Sequence, residues 1–294
     1  MSAALPSELQ RWVTAQLGGL AEVTDVSWPR TTSRVWRLTR SGGVTAYVKI
    51  APGDRHYERE VYAYRHAAVA LGPGRAPRLL ASEPQLHAVM TSALPGAPVK
   101  GLALSAVEER AAHRAAGGVL RRLHELAPRS AEARTQADAA VRRTVARSKV
   151  YLARATHLVT YSQRDLVYRS WQLLLALAPQ LPVAFRHGDF RPRNWQWNRV
   201  SQRLALFDFE SCGIGVAAAD FVWLAAGSWA EDPGLRRACL LGYGRDFTDA
   251  EVRALPALIA LAAVEDLQWA ARNSDPRGVA YAHRILARME AECH

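Results

Sequence analysis

The spacing of hydrophobic positions changes once along the chain, and that change divides it. Residues 5–17 carry Leu9, Trp12, Val13 and Leu17 on one face of an amphipathic helix. Short β-rich runs follow at 21–28, 33–39 and 44–51, then a helical stretch over 55–71. Two more β-rich runs, 77–81 and 86–93, complete a five-stranded small lobe. Leu94-Pro95-Gly96-Ala97-Pro98 then interrupts all regular structure. From Ser105 onward the period is helical. Ser105-Ala106-Val107-Glu108 reads as a capping box opening a helix that stops near Pro128. Helices are expected over 131–158 and 162–181, the second with Val167, Trp171, Leu174 and Leu175 in the core. Three more are expected over 232–243, 248–272 and 275–292, with Pro256 kinking or restarting the middle one. The pattern predicts an α+β chain with a small antiparallel sheet lobe at 1–93, a linker at 94–98 and a larger, mainly helical lobe at 99–294.

Composition narrows this picture. A chain of 294 residues that is 49% hydrophobic can bury a sizeable core. No N-terminal stretch has the pattern of a signal peptide, and the most apolar runs are short and Ala-rich, so no membrane association is expected. Cys212, Cys239 and Cys293 are scattered and form no C-x-x-C, which fits a reducing cytoplasm. The net charge is +11, and residues 101–170 hold thirteen Lys or Arg against six Asp or Glu. A basic surface attracts anions, but these arginines sit at helical spacings, as solvated faces do, and no nucleic-acid partner is expected.

The candidate chemistry lies in two short stretches. The first is His187-Gly188-Asp189-Phe190-Arg191-Pro192-Arg193-Asn194, and the second is Phe207-Asp208-Phe209-Glu210. Apolar runs flank both, so a hairpin could gather Asp189, Asn194 and Asp208 at its open end. Two carboxylates and an amide oxygen are hard donors suited to Mg²⁺ carrying nucleotide phosphates. A carboxylate, an amide five positions on and a second carboxylate after the next strand is the layout of protein-kinase-like phosphoryl transfer. The two motifs, in this order and spacing, resemble the signatures of the aminoglycoside phosphotransferase family, which is related to choline kinases and has the protein-kinase fold.

The resemblance implies a role for each position. Asp189 would orient the acceptor hydroxyl and accept its proton, while Asn194 and Asp208 would hold Mg²⁺. Lys49, in Tyr47-Val48-Lys49-Ile50, would neutralise phosphates of ATP or GTP, or else point to solvent from an edge strand. Glu58 and Glu60 are both candidates to pair with it, and the family pattern favours Glu60. The loop Pro29-Arg30-Thr31-Thr32-Ser33-Arg34 has no glycine, and Thr32 and Ser33 would offer donors to phosphate there. Ser92 and Ala93 would bond the purine through their backbone, with Met90 lining the pocket. Glu210 would reach a second metal or a metal-bound water, or lie at the surface. Arg191 and Arg193 would contact the phosphoryl group or an anionic part of the acceptor, or face water. Glu265 and Asp266, with Glu231 and Asp232, are acids available to an acceptor. Asp220 would brace the catalytic loop, and His124 would be structural.

The expected protein is therefore a cytoplasmic Mg²⁺-dependent phosphotransferase, monomer or dimer, acting on a small hydroxylated acceptor. Antibiotic inactivation leads, as resistance or self-protection, with an aminoglycoside, nucleoside or similar compound as acceptor. The strong positive charge disfavours steering of a polycation. A metabolite kinase for choline, homoserine or an amino sugar is the alternative. A pseudokinase or an Arg-rich nucleic-acid-binding protein is more remote.

Overall fold

The computed structural model describes residues 4–27 and 33–292, so Thr32 and most of the loop before Ser33 lie outside the described residues. The chain packs as two compact units, one of residues 1–105 and 192–212, the other of residues 106–191 and 213–294. The first unit is built on an antiparallel five-stranded sheet. Helix α1 (Ser7–Leu17) leads into β1 (Leu20–Asp25), β2 (Arg34–Arg40) and β3 (Thr45–Ile50). Helix α2 (Asp54–Tyr62) continues through a wide π turn, Ala63–Ala67, into the short α3 (Ala68–Ala70). Strands β4 (Leu79–Glu83) and β5 (Ala88–Ser92) complete the order β1-β2-β3-β5-β4.

Side-chain alternation along these strands decides what each face does. Trp36 is level with Val48, and Val48 with Met90. These three side chains, with Leu38 and Ala88, form the buried cluster beneath Leu9 and Val13 of α1. Neighbouring positions point the opposite way, so Lys49, level with Val35 and Val89, leaves by the other face. Met90 is fully buried in the α1-side cluster, which corrects the expectation that it lines a nucleotide pocket. Val89 and Thr91, a parity the sequence reading did not assign, share the face of Lys49.

The linker is also shorter than expected. Ala97–Pro98 forms β6, which pairs with β8 (Trp195–Asn198); β7 (Val183–Arg186) belongs to the second unit, and β9 (Arg203–Leu206) closes the small sheet in the order β6-β8-β9. This pairing is why residues 192–212 pack with the N-terminal sheet. Trp195 and Trp197 are both buried there.

The second unit is helical around one two-stranded ribbon, β7 with β10 (Gly213–Val216). Its helices are α4 (Ala106–His124), α5 (Ala131–Arg154), α6 (Tyr161–Leu177), α7 (Val222–Ala226), α8 (Ser228–Glu231), α9 (Pro233–Tyr243), α10 (Asp249–Arg272) and α11 (Pro276–Glu292). A reciprocal capping box of Thr160 and Gln163 opens α6, and one of Thr248 and Glu251 opens α10. Pro256 neither ends nor restarts α10, which runs unbroken. That helix is long and apolar enough to cross a membrane, yet over half of its apolar window is buried, packed against α5, α6, α7 and α11. On α6, Val167 and Leu174 are buried as expected, but Leu175 is exposed because it stands one position off the buried stripe.

Helices α4 and α9 approach closely enough to demand glycine. A β-carbon on Gly117 would fall 2.0 Å from the Cys239 carbonyl oxygen, and one on Gly242 would fall 1.8 Å from that of Arg114. This approach sets His124 Nδ1 2.8 Å from the Tyr243 hydroxyl, with His124 Nε2 2.9 Å from Asp220 Oδ2. Asp220 then accepts from two backbone groups, His187 N–H at Oδ2 and Gly188 N–H at Oδ1, each at 2.8 Å. Burial alone would raise the Asp220 pKa, but the His124 hydrogen bond and the nearby His124, Arg186 and His187 outweigh it, and the pKa is lowered.

Two predictions follow from this packing. Met90→Ala should cost about 2–5 kcal/mol of stability in urea unfolding, whereas Met90→Leu should cost under about 1.5 kcal/mol. Asp220→Ala leaves two loop N–H groups and His124 without their acceptor and should cost about 3–5 kcal/mol. Because the folded-state pKa of Asp220 is depressed, its stabilisation is present above the ordinary carboxylate pKa of about 4 and is lost as pH falls through the lower folded value. Acid unfolding of Asp220→Asn should therefore lack that part of the wild-type slope, and an unchanged slope would refute the assignment.

Candidate active site

In the first unit, Lys49 is the centre of an ion cluster. Its ammonium donates to Asp208 Oδ1 at 2.6 Å and lies 3.0 Å from Glu60 Oε2 and 2.8 Å from Glu210 Oε2. Strand β3 delivers Lys49 on the face away from α1, and α2 delivers Glu60, which is 2% exposed, while Glu58 is exposed. That contrast selects Glu60 as the partner. Ser33 joins the cluster by donating its hydroxyl to Glu210 Oε2 at 3.2 Å.

The electrostatics of the cluster are unbalanced. Burial alone would lower the Lys49 pKa, but Asp208, Glu60 and Glu210 more than offset this and hold it well above the ordinary lysine value. Glu60 is pushed up to about 7, first by burial and then by Asp208 and Glu210, against the pull of Lys49. One ammonium faces three carboxylates whose oxygens lie within 4.8 Å of one another, a donor set of hard oxygens that fits a divalent cation.

The hairpin of β8 and β9 aligns the remaining members. Trp195 pairs with Leu206, so Asn194 and Phe207 flank the open end, where the Phe207 N–H donates to the Asn194 carbonyl at 3.2 Å. Asn194 is buried in the turn Pro192–Asn194, which also holds the half-buried Arg193. Asp208 adopts φ +66°, a left-handed conformation uncommon for a residue with a side chain. Its neighbour Phe209 is fully buried, edge-on to Tyr64 at 5.4 Å. Tyr64 lies one helical turn beyond Glu60 and is buried, as the inward face of this helix requires. Its hydroxyl pKa is raised well above the ordinary value, by burial and then by Glu60.

The second unit carries the loop of Asp189. Besides the two bonds to Asp220, the Asp189 N–H donates to His187 Nδ1 at 3.3 Å, and Phe190 is buried. Arg191 Nε lies 2.6 Å from Asp189 Oδ1, and the Arg191 guanidinium stacks 3.8 Å from the centre of the Trp223 ring. Trp223 was missed in the sequence, although it stands one helical turn after Asp220.

The other expected site residues have ordinary partners. Ser92 N–H is used within the first unit by the Arg78 carbonyl at 2.9 Å, and the Ala93 N–H reaches the Thr45 carbonyl at 3.4 Å. Glu265 pairs with Arg147 at 3.4 Å, and Asp266 is half-buried on α10. Asp232 caps α9 by accepting from the Gly234 N–H at 2.7 Å.

No curated protein sequence matches the chain. Among solved structures, the GDP complex of wild-type aminoglycoside 2'-phosphotransferase-IIIa is 13% identical, with a TM-score of 0.70 and coverage of 98% of this chain and 99% of that one. A thermostable mutant of aminoglycoside phosphotransferase APH(4)-Ia, in ternary complex with AMP-PNP and hygromycin B, is 14% identical at TM-score 0.68, covering 97% and 98%. A choline/ethanolamine kinase family protein from Mesorhizobium loti is 20% identical at TM-score 0.67, covering 96% and 94%. These likenesses show a protein-kinase-like α+β fold with an antiparallel sheet part and a larger helical part. The model of the phosphotransferase enzyme family matches residues 22–255, and the chain belongs to that family.

Proposed function

We propose that this phosphotransferase moves the γ-phosphoryl group of ATP or GTP to a hydroxyl of a small molecule, with Mg²⁺ as the working cation. The observation that carries this reading is the Lys49 cluster, one ammonium among Glu60, Asp208 and Glu210. With three acids against one base, the cluster is net negative and would repel a triphosphate. Nucleotide binding then requires a divalent cation, and Asp208, Asn194 and Glu210 supply oxygen donors for it. Bound there, the cation would neutralise phosphate charge and stabilise the leaving group.

The chain's own residues do the rest. Lys49 stays cationic and pairs with phosphate oxygens, while Glu60 fixes its direction from α2. Ser33 offers a hydroxyl to phosphate. The backbone of Ala93, with the Ser92 carbonyl, faces the purine. Asp189 orients the acceptor hydroxyl, whose oxygen attacks the γ-phosphorus as the bond to the β-phosphate oxygen breaks. The hydroxyl proton passes late to Asp189, so orientation counts for more than basicity. Asp220 serves this step indirectly by pinning the loop backbone around Asp189.

The acceptor reading is a hydroxylated antibiotic, phosphorylated as resistance or self-protection in the cytoplasm, where the buried thiols of Cys212 and Cys239, neither of them in a disulfide, suit a reducing environment. Among the likenesses, proteins named for aminoglycosides and for choline or ethanolamine both occur, so a metabolite kinase is the alternative. Mass spectrometry of antibiotics and small alcohols incubated with the protein and MgATP separates the two.

Asp189→Ala should lower turnover by about a thousandfold or more while nucleotide affinity stays near wild type, and undiminished turnover would refute the role of Asp189. Asp208→Ala, or wild type with a chelator, should lose cation-dependent nucleotide binding in calorimetry. Equal affinity with and without Mg²⁺ would overturn the assignment of the cluster.

A further inference from the structure

The carboxylate assigned to the acceptor hydroxyl is already charge-balanced by its own chain. Arg191 Nε sits 2.6 Å from Asp189 Oδ1, with the two side chains only 25% and 15% exposed. The Trp223 ring backs the guanidinium at 3.8 Å, close enough for a cation–π contact. A guanidinium keeps its charge throughout the working pH range, so this is a permanent positive charge fixed beside Asp189.

Take the arginine away, and the same place would be a good ammonium site. A carboxylate next to an aromatic face is the chemistry that binds amines. Other acids of this unit are engaged in similar fashion. Glu265 pairs with Arg147 at 3.4 Å, Glu251 takes both arms of Arg245 at 2.6 and 2.9 Å, and Asp232 caps α9. Asp266 and Glu231 both raise the Tyr281 hydroxyl pKa, after burial, while Arg288 and Arg191 act against them. The surroundings of Tyr281 thus mix two acids with two arginines, Arg191 among them, where a polyamine would need unopposed acids.

We propose that Arg191, held on Trp223 and against Asp189, determines acceptor specificity by occupying the cation position beside the reacting hydroxyl, so that the acceptor is a hydroxyl compound with no ammonium group there. This inference rests on the phosphotransferase reading above, with Asp189 at the acceptor hydroxyl. It selects uncharged or anionic acceptors and sets this enzyme apart from those that take polyamino sugars. The overall charge of +11 acts in the same direction at long range.

Amine binding tests the idea without knowledge of the true acceptor. Kanamycin and choline are titrated calorimetrically into the nucleotide-free full chain as wild type, Arg191→Ala, Arg191→Gln and Arg191→Lys, each checked for wild-type circular dichroism. Loss of the charge in the Ala and Gln variants should tighten kanamycin binding by about tenfold or more, whereas Arg191→Lys should bind it as weakly as wild type. Arg191→Gln keeps the length of the side chain and stands in if Arg191→Ala fails to fold. Kanamycin affinity unchanged or weaker in the neutral variants would overturn the proposal, as would equal tightening in Arg191→Lys. Because no nucleotide is present, failure here is distinct from failure of the Asp208 titration, which judges the phosphotransfer reading itself.

Discussion

A lysine ammonium that is 12% exposed needs an opposite charge, and the first unit is arranged to supply that charge in excess. Strand β3 carries Lys49 to the face away from α1, α2 brings Glu60, and the segment after β9 brings Asp208 and Glu210. Burial first, and then the surplus of acid, pushes the Glu60 pKa up to about 7. A cluster of this sign is poised to accept positive charge. Structure and proposed chemistry therefore share one cause.

The second unit solves the mirror problem, a buried carboxylate. Asp220 is saturated by two loop N–H groups and by His124, and His124 is held in turn by Tyr243. That chain of contacts exists because α4 and α9 meet at Gly117 and Gly242, where no β-carbon could fit. The loop of Asp189 is thus fastened to packed helices rather than left to its own turn propensity. Rigid support of this kind is what a positioning role for Asp189 requires.

Much of this was legible in the sequence, and the parts that were not have physical reasons. The motif residues, the five strands and the capping box at Thr248 follow from local spacing and chemistry. Met90 was misread because a buried central strand is apolar on both faces, so hydrophobicity alone does not tell which face a residue takes; only the register with Val48 does. Leu175 was misread for the matching reason on a helix, one position off the buried stripe. Pro256 was expected to kink or restart its helix, and no restart occurs, since α10 runs through it. Gly117 and Gly242 gave no local signal, since the contact they permit joins residues far apart in sequence. The Arg191–Trp223 stack is similarly non-local, although the spacing from Asp220 to Trp223 offered a hint.

The loop divides into positions that answer to the fold and one that does not. His187 and Phe190 are buried and Asp189 is fastened through the backbone of its neighbours, so these positions answer to the fold. Arg191 is partly exposed and touches the carboxylate and an aromatic face rather than the core. A substitution there can change the charge beside Asp189 without disturbing the bonds that hold the loop. On the proposed reading, the backbone bonds of the loop hold Asp189 in place, while the charge of the side chain two positions later sets the sign that an incoming acceptor meets.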